Sequence, residues 1–321
     1  MTALNFIWNS DEIFFSIGGI AIRYYSLMFL VAFSLGWYVM KKIYLNEGKT
    51  LQQLDTLLIY TAVATLVGAR LGDCFFYNWD YFQHNILEIF LPIRKNPNES
   101  LFGIIKGWEF TGFAGLASHG AAIGIIVAMV FYIRKYKDIT LSWVLDRIVI
   151  PITIGGMFVR LGNFFNSEIN GKVVDSSYPL GVKFVQGGEI SSRQAMELTG
   201  QSSPKEAFHL IANDPRFSEV LAAIPYQHPA QLYEAVGYFL LFWVLWFTYW
   251  KTDKRKQPFF IFGLFLVLLW GIRFAVEFVK ESQGGFESTL GLLSTGQWLS
   301  LPFIVVGFYL LFRKRCRNGI F

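Results

Sequence analysis

Seven apolar stretches of roughly 20 residues follow one another along the chain, each long enough to cross a hydrocarbon core about 30 Å thick. They run from Ile20 to Met40, Thr56 to Tyr77, Gly112 to Ile133, Trp143 to Phe165, Pro229 to Trp250, Phe259 to Phe278 and Gly296 to Phe312. Backbone inside lipid has no water to bond, so each stretch is expected to be a helix. Composition agrees. Of the 321 residues 54% are hydrophobic and 16% charged, and the mean hydropathy is +0.41, too apolar for the surface of a soluble domain. The expected fold class is an all-α integral membrane protein of about seven transmembrane helices.

Basic residues orient these helices. Lys41, Lys42 and Lys49 follow the first stretch, Arg134, Lys135, Lys137 and Arg147 lie between the third and fourth, and Lys251, Lys254, Arg255 and Lys256 follow the fifth. Arg313, Lys314, Arg315 and Arg317 close the chain. Alternate loops are thus strongly basic, which predicts an N-terminus outside and a C-terminus in the cytoplasm. The formal net charge of +5 then reports topology and gives no support to nucleic-acid binding. No cleavable signal peptide is expected, because Asp11 and Glu12 precede the first stretch and no basic residue does.

Two outward segments break the apolar pattern. Residues 79–111 form an outer loop, and residues 166–227 have helix-like spacing after candidate caps at Ser203 and Asn213, which predicts a small extracytoplasmic head. The chain is therefore divided into 1–165 with the first four spans, 166–227 as the head, and 228–321 with the last three spans and a basic tail. Cys74 and Cys316 fall on opposite faces by this topology, so they do not pair, and neither has metal-ligand spacing.

The unusual polar residues gather at the outer ends of the spans. Arg-Leu-Gly occurs twice, in GARLGDCFFYNWD after the second stretch and in VRLGNFFNSEING after the fourth. SHGAAIG places His119 in the third, beside the small-residue pair Gly120 and Gly124 that permits close helix approach. HPAQLYEAVG opens the fifth with His228, Gln231, Tyr233 and Glu234, GIRFAVEF closes the sixth with Arg273 and Glu277, and IRYYSLMF opens the first with Arg23, Tyr24 and Tyr25. Arg23 and Arg70 have a plain reading as residues that snorkel to headgroups, and the terminal Tyr and Trp residues one as an aromatic belt. Arg160 and Arg273 stand apart, since each has a polar partner on its own helical face, Asn163 at i+3 and Glu277 at i+4. A charge inside the membrane costs about 2.5–3.5 kcal/mol on the insertion scale, which favours an interior position. Guanidinium forks match phosphate oxygens, and an anion in a bilayer points to a phospholipid headgroup. His119 then reads either as a base near that phosphate or as a ring bonded to a neighbouring carbonyl. These residues suit transfer from a phospholipid, and equally a carrier in which nothing reacts.

The chain resembles the bacterial prolipoprotein diacylglyceryl transferase family over nearly its whole length. The most specific match is Arg-x-Gly-Asn-Phe-x-Asn-x-Glu-x-x-Gly, present as Arg160, Gly162, Asn163, Phe164, Asn166, Glu168 and Gly171, with RYYSLMFLVAF, GARLGDCFFYNWDYF, SHGAAIG, HPAQLYE, GIRFAVEF and LSTGQWLSLP in the expected order. Ala121 departs from a glycine that usually follows the histidine, and VKESQ from an Arg-Glu-Pro ending. The resemblance implies transfer of the diacylglyceryl group of phosphatidylglycerol to the lipobox cysteine thiol of a preprolipoprotein, with release of glycerol phosphate and no metal or cofactor. It implies His119 as base, Tyr25 as a positioning or relay partner, and Arg160 and Arg273 on the departing phosphate. Asn163, Asn166, Glu168, Tyr233 and Glu277 would orient the arginines or the headgroup, Arg70 would add a lipid contact, and Gly171 would permit a turn at the head's entrance. The implied partners are phosphatidylglycerol, the signal peptide and lipobox cysteine of preprolipoproteins, and the bilayer of the bacterial cytoplasmic (inner) membrane, with the site near its outer leaflet. Lateral openings between helices are expected, since a signal peptide must enter sideways. The alternative is a non-catalytic phospholipid-binding carrier or a pore-like protein.

Overall fold

The computed structural model describes residues 6–11, 13–17, 20–101, 104–110, 117–281 and 293–313. Twelve α-helices occur among them: α1 (Tyr24–Asn46), α2 (Leu51–Phe76), α3 (Trp79–Phe82), α4 (Ile86–Phe90), α5 (Ser118–Lys135), α6 (Leu141–Phe165), α7 (Ser192–Thr199), α8 (Pro204–Asn213), α9 (Ser218–Ala223), α10 (Ala230–Lys251), α11 (Phe260–Val276) and α12 (Thr295–Phe312). The strands are short: β1 (Phe6–Trp8), β2 (Ile13–Ile17), β3 (Ile20–Arg23), β4 (Ile93–Leu101), β5 (Ile105–Phe110), β6 (Val173–Val174), β7 (Val182–Phe184) and β8 (Tyr226–Gln227). Five helices, α1, α2, α6, α10 and α12, are long and apolar enough to cross a membrane. The expected sixth span is the shorter apolar helix α11. The expected third span continues as α5, but its first residues, 112–116, lie outside the described residues, as does Cys316.

Residues 41–144 form one compact unit. Helix α2 starts on a capping box, in which the Thr50 hydroxyl accepts from Gln53 N and the Gln53 side chain accepts from Thr50 N. It packs along α5 through glycines: a Cβ on Gly120 would stand 2.6 Å from the Gly72 Cα, and one on Gly124 would stand 3.2 Å from the Gly68 Cα. The small pair read in the third stretch thus has its counterpart in the second, within GARLG. Packing this close is a van der Waals gain that any side chain abolishes. Gly120→Val is expected to lower stability by about 1–3 kcal/mol or more, whereas Gly155→Ala, which meets nothing within 4 Å, should be close to neutral. Thermal unfolding in detergent distinguishes the two.

The other unit comprises residues 1–40 and 145–321. Here α11 packs against both α10 and α12. Trp270 stacks on Phe303 at 4.3 Å, and Gly263 and Gly307 bring α11 and α12 close. The Asp146 carboxylate, fully buried in α6, accepts from Phe259 N at 2.7 Å and Phe262 N at 2.8 Å, so the first turn of α11 is capped by another helix. Outward faces carry Leu30, Val236, Leu240, Phe247, Val305 and Tyr309, as lipid contact requires.

Between α6 and α10 the chain forms a small mixed layer. A four-stranded sheet runs in the order β1-β7-β8-β6, with β1 joining parallel to β7, so the N-terminal residues complete a sheet otherwise built from 173–227. Helices α7, α8 and α9 accompany it over a core of Val185, Ala195, Ala207, Phe208, Ile211 and Ile224. Ser203 takes the N-cap position of α8, followed by Pro204. Asn213 is not a cap: it is the last residue of α8 and bonds back to the His209 carbonyl, while Asp214 caps the turn that follows. The strands in this layer were not expected, because two- and three-residue strands leave no measurable alternation in a sequence.

Candidate active site

Helix α6 ends in an aromatic collar. The Trp8 indole N–H donates to the Phe164 carbonyl at 2.9 Å and its ring packs on Phe164, while Tyr24, the first residue of α1, stacks on Phe165 at 4.6 Å. The Tyr25 ring lies so close to Gly162 that a Cβ there would come within 2.7 Å of it. Beyond α6 the chain turns through two non-glycine residues in the left-handed region, Ser167 at φ 53° and Ile169 at φ 59°. A β-branched residue there costs about 1–3 kcal/mol, and such strain persists only where neighbours over-determine it. The neighbour is Gln231 of α10, whose amide donates to both the Glu168 carbonyl (2.5 Å) and Asn170 Oδ1 (2.7 Å). Between the two strained residues stands Glu168, its carboxylate exposed and held by Asn163 Nδ2 at 3.2 Å and Asn166 Nδ2 at 3.1 Å.

The charged centre forms where helices of alternating direction end. Arg160 lies one turn before the end of α6, Glu234 one turn into α10, and Arg273 in the last turn of α11. Arg160 Nε is 2.6 Å from Glu234 Oε2, and Arg273 approaches the same oxygen at 3.9 Å. The Tyr238 hydroxyl, one turn further along α10, donates to it at 2.9 Å. With its side chain 3% exposed, Glu234 is a buried carboxylate shared by two guanidiniums, whose own side chains are 12% and 29% exposed. Another Arg160 nitrogen donates to Asn163 Oδ1 at 3.3 Å, the i+3 contact expected from spacing. Tyr25 is within electrostatic reach of Arg160 and Glu168.

A third cation joins from beyond α11. Lys280 is buried, 3.7 Å from Glu277, and its backbone bridges Gly171. Burial holds its ammonium below the ordinary lysine value; Glu277 and Glu234 pull it up, while Arg160 and Arg273 push it down. Glu277 therefore makes its ion pair with Lys280, whereas Arg273 was expected to hold it at i+4. Glu277 is the C-cap of α11, still helical with its N–H on the Arg273 carbonyl, and Gly296 at the start of α12 leaves room for its carboxylate beside Lys280.

Gly171 also differs in its physical role from the expected turn. Its φ is not positive; a Cβ would stand 2.6 Å from both the His228 side chain and the Val279 carbonyl. Three chain segments meet there, through Gly171 N to His228 O at 2.8 Å and Lys172 N to Val279 O at 2.7 Å. The glycine is needed for close approach. Tyr233 sits in a separate cluster, its hydroxyl 3.2 Å from His228 Nδ1 and 3.4 Å from the Tyr178 hydroxyl. Burial, and then Lys172, holds that imidazole below its ordinary pKa.

Arg70 and His119 belong to the other unit. Arg70 is 8% exposed and does not snorkel: it donates to the carbonyls of Glu88 (2.5 Å) and Ile89 (3.4 Å) and lies over the Phe82 ring. The side chain of His119 lies outside the described residues. Cys74 is buried among Phe82, Ile89 and Leu71. Sequence reasoning placed Gln231 and Glu234 among the polar residues at the outer ends but gave them no role, and it missed Tyr238 and Lys280. For Glu234 the signal was present, a carboxylate one turn inside an apolar span, the same cost argument that singled out Arg273.

Residues 12–313 match the family described as prolipoprotein diacylglyceryl transferase. Among curated proteins, the phosphatidylglycerol-prolipoprotein diacylglyceryl transferase of Tolumonas auensis is 36% identical over 304 residues, covering 95% of each chain. The protein of the same name from Bacteroides fragilis is 35% identical across 96% of this chain and 95% of its own, and that of Chloroherpeton thalassium 35% across 98% and 96%.

Proposed function

The chain belongs to the prolipoprotein diacylglyceryl transferase family, and on that premise we propose how its charged centre serves the reaction. It is a transferase that moves the diacylglyceryl group of phosphatidylglycerol to a prolipoprotein, the lipid-adding step of lipoprotein maturation. The acceptor is the lipobox cysteine thiol. Its sulfur attacks the glycerol carbon bearing the phosphate ester, the carbon–oxygen bond breaks, and glycerol phosphate leaves with the electron pair.

The observation that carries this reading is the convergence of Arg160 and Arg273 on one buried carboxylate. Glu234 occupies Nε of Arg160 and Asn163 takes Nη1, which leaves Nη2 for a second anion. Arg160 and Arg273 share the single carboxylate of Glu234, while Lys280 pairs with Glu277, so the two guanidiniums are matched directly by one carboxylate and can take a lipid phosphodiester as a second anion. As the ester breaks, charge grows on the phosphate, and preorganised guanidiniums stabilise it more than the ground state. Asn166 Oδ1, Ser167 Oγ and Gln231 Oε1 are buried without a partner among the described residues, polar capacity suited to headgroup hydroxyls. Tyr25, Asn163 and Glu168 position Arg160, and Tyr233 holds the approach beside His228. Arg70 acts by supporting the α2–α4 region. On this reading seven spans cross the cytoplasmic membrane with the N-terminus outside, the segment 166–227 stands as the head, and the site faces the outer leaflet, in accord with the basic loops.

Incubating the purified protein with phosphatidylglycerol and a lipobox peptide should raise the peptide's mass by one diacylglyceryl group. A carrier would instead move labelled lipid across a vesicle and leave the peptide unchanged. Cys74→Ser is expected to retain transfer, since the nucleophile belongs to the substrate.

His119 is the proposed base. His119→Gln should slow the chemical step more than lipid binding, and raising the pH toward about 8.5, where a thiol ionises unaided, should partly restore it. Single-turnover rates from about pH 6.5 to 9 test this. A flat, low profile with a lowered melting temperature would assign His119 to helix packing.

A further inference from the structure

A semi-open groove with a volume of about 540 Å³ crosses the head between the chain that follows β1 and helix α8, within the size range of small-ligand and short-peptide sites. Three primary amides line it, Asn9, Gln186 and Gln201, together with the paired Lys205 and Asp11 and with Glu206 and His209. Its floor is fixed. The Gln186 amide donates to Asn9 Oδ1 at 2.8 Å and the Ser10 carbonyl at 3.0 Å, and the Asn9 amide donates to the Phe208 carbonyl at 3.1 Å. Beneath lies the core of Val185, Ala207 and Phe208. Gln201 is half-buried and Glu206 exposed.

The chemistry of this lining selects its occupant. The Gln201 amide offers a donor and an acceptor, the pair that a peptide unit offers in return, while Gln186, its N–H groups spent on Asn9 and Ser10, keeps its oxygen as an acceptor and Asn9 keeps one N–H. An anionic headgroup finds little here, because Lys205 is already matched by Asp11 and Glu206 adds a second carboxylate. Position supports a peptide too. Asn9 follows Trp8, whose indole holds the Phe164 carbonyl one residue from Asn163, and Val185 N bonds the Trp8 carbonyl at 3.0 Å. The groove is thereby built onto the end of the helix that carries Arg160.

We infer that this groove binds the extended stretch of substrate polypeptide just downstream of the lipid-accepting cysteine, reading its backbone through Gln201 and the groups that Asn9 and Gln186 leave open, with little side-chain selectivity. The inference rests on the proposed transferase activity, because that segment is the part of a secreted acceptor that emerges from the membrane beside the site.

The test compares two lipobox substrates, one ending shortly after the cysteine and one continuing with a long unstructured polar segment. The wild-type protein should show a KM about tenfold lower for the long substrate, with similar kcat, from a few backbone hydrogen bonds. Gln201→Leu combined with Glu206→Leu should raise KM for the long substrate to that of the short one and leave the short one unchanged. Equal KM values for both substrates in the wild-type protein, or a variant that changes both alike, would overturn the inference. Absence of transfer to either substrate would instead reject the transferase reading.

Discussion

Arg160→Lys and Arg273→Lys are each expected to reduce lipid transfer by about 10²-fold or more while the protein still inserts and elutes as a folded species. Charge alone does not suffice at these positions. Arg160 already spends Nε on Glu234 and another nitrogen on Asn163, and still presents the rest of its fork. A lysine has one nitrogen, which must choose between the buried carboxylate and the phosphate. Arg273, more exposed, 3.9 Å from Glu234 and over the Trp270 ring, is held less closely by that carboxylate than Arg160. Its Lys variant should therefore lose turnover with a smaller fall in melting temperature than Arg160→Lys. Initial rates read by peptide mass, with size-exclusion profiles in parallel, check both. Near-wild-type turnover in the two variants would remove the phosphate clamp.

Glu234→Ala should be the most damaging single change. It strips the shared carboxylate from two guanidiniums and the Tyr238 hydroxyl in a site that has little water to replace it. Removing one partner of a buried pair costs about 3–5 kcal/mol, so a large drop in melting temperature and loss of transfer are expected together. Folding and chemistry separate in a second variant. Arg160→Met with Glu234→Met replaces the pair by apolar groups and should recover much of the stability lost in Glu234→Ala while remaining inactive. If the double variant is as unstable as Glu234→Ala, the pair is not the source of the loss.

The two i, i+n pairs read from the sequence came out differently for a reason local to each helix. Asn163 meets Arg160 because both stand inside a continuous helical turn, where spacing translates directly into contact. Glu277, at the C-cap of α11, keeps the i+4 backbone bond to Arg273 and lies within its electrostatic reach, yet the Gly171–Lys280 bridge brings Lys280 to its carboxylate as the ion-pair partner. Gly171 was recognisable as a required glycine, but only the meeting of three backbones explains the requirement. Lys280 carried no comparable signal, since a lysine outside a span is ordinary, and Gln231, though among the polar residues of HPAQLYEAVG, showed nothing of its grip on the turn at Glu168.

What the sequence determined by itself was the helical character of the apolar stretches and the interior place of two charges. Length and apolarity of the stretches require helices, and an unpaired arginine in lipid costs enough that Arg160 and Arg273 had to face an interior. That the third stretch can approach a neighbour closely was equally legible from Gly120 and Gly124, but not that the neighbour is the second. Only the tertiary structure decided which groups share a charge. Glu234 is seventy-four positions from Arg160 and thirty-nine from Arg273, and it reaches both because α6, α10 and α11 present their termini at one end. Periodicity specifies a face of one helix; it carries no information about which other helix that face will meet. That depends on packing between elements far apart in the chain, as the strained turn at Ile169, gripped by Gln231 from sixty-two residues away, also does.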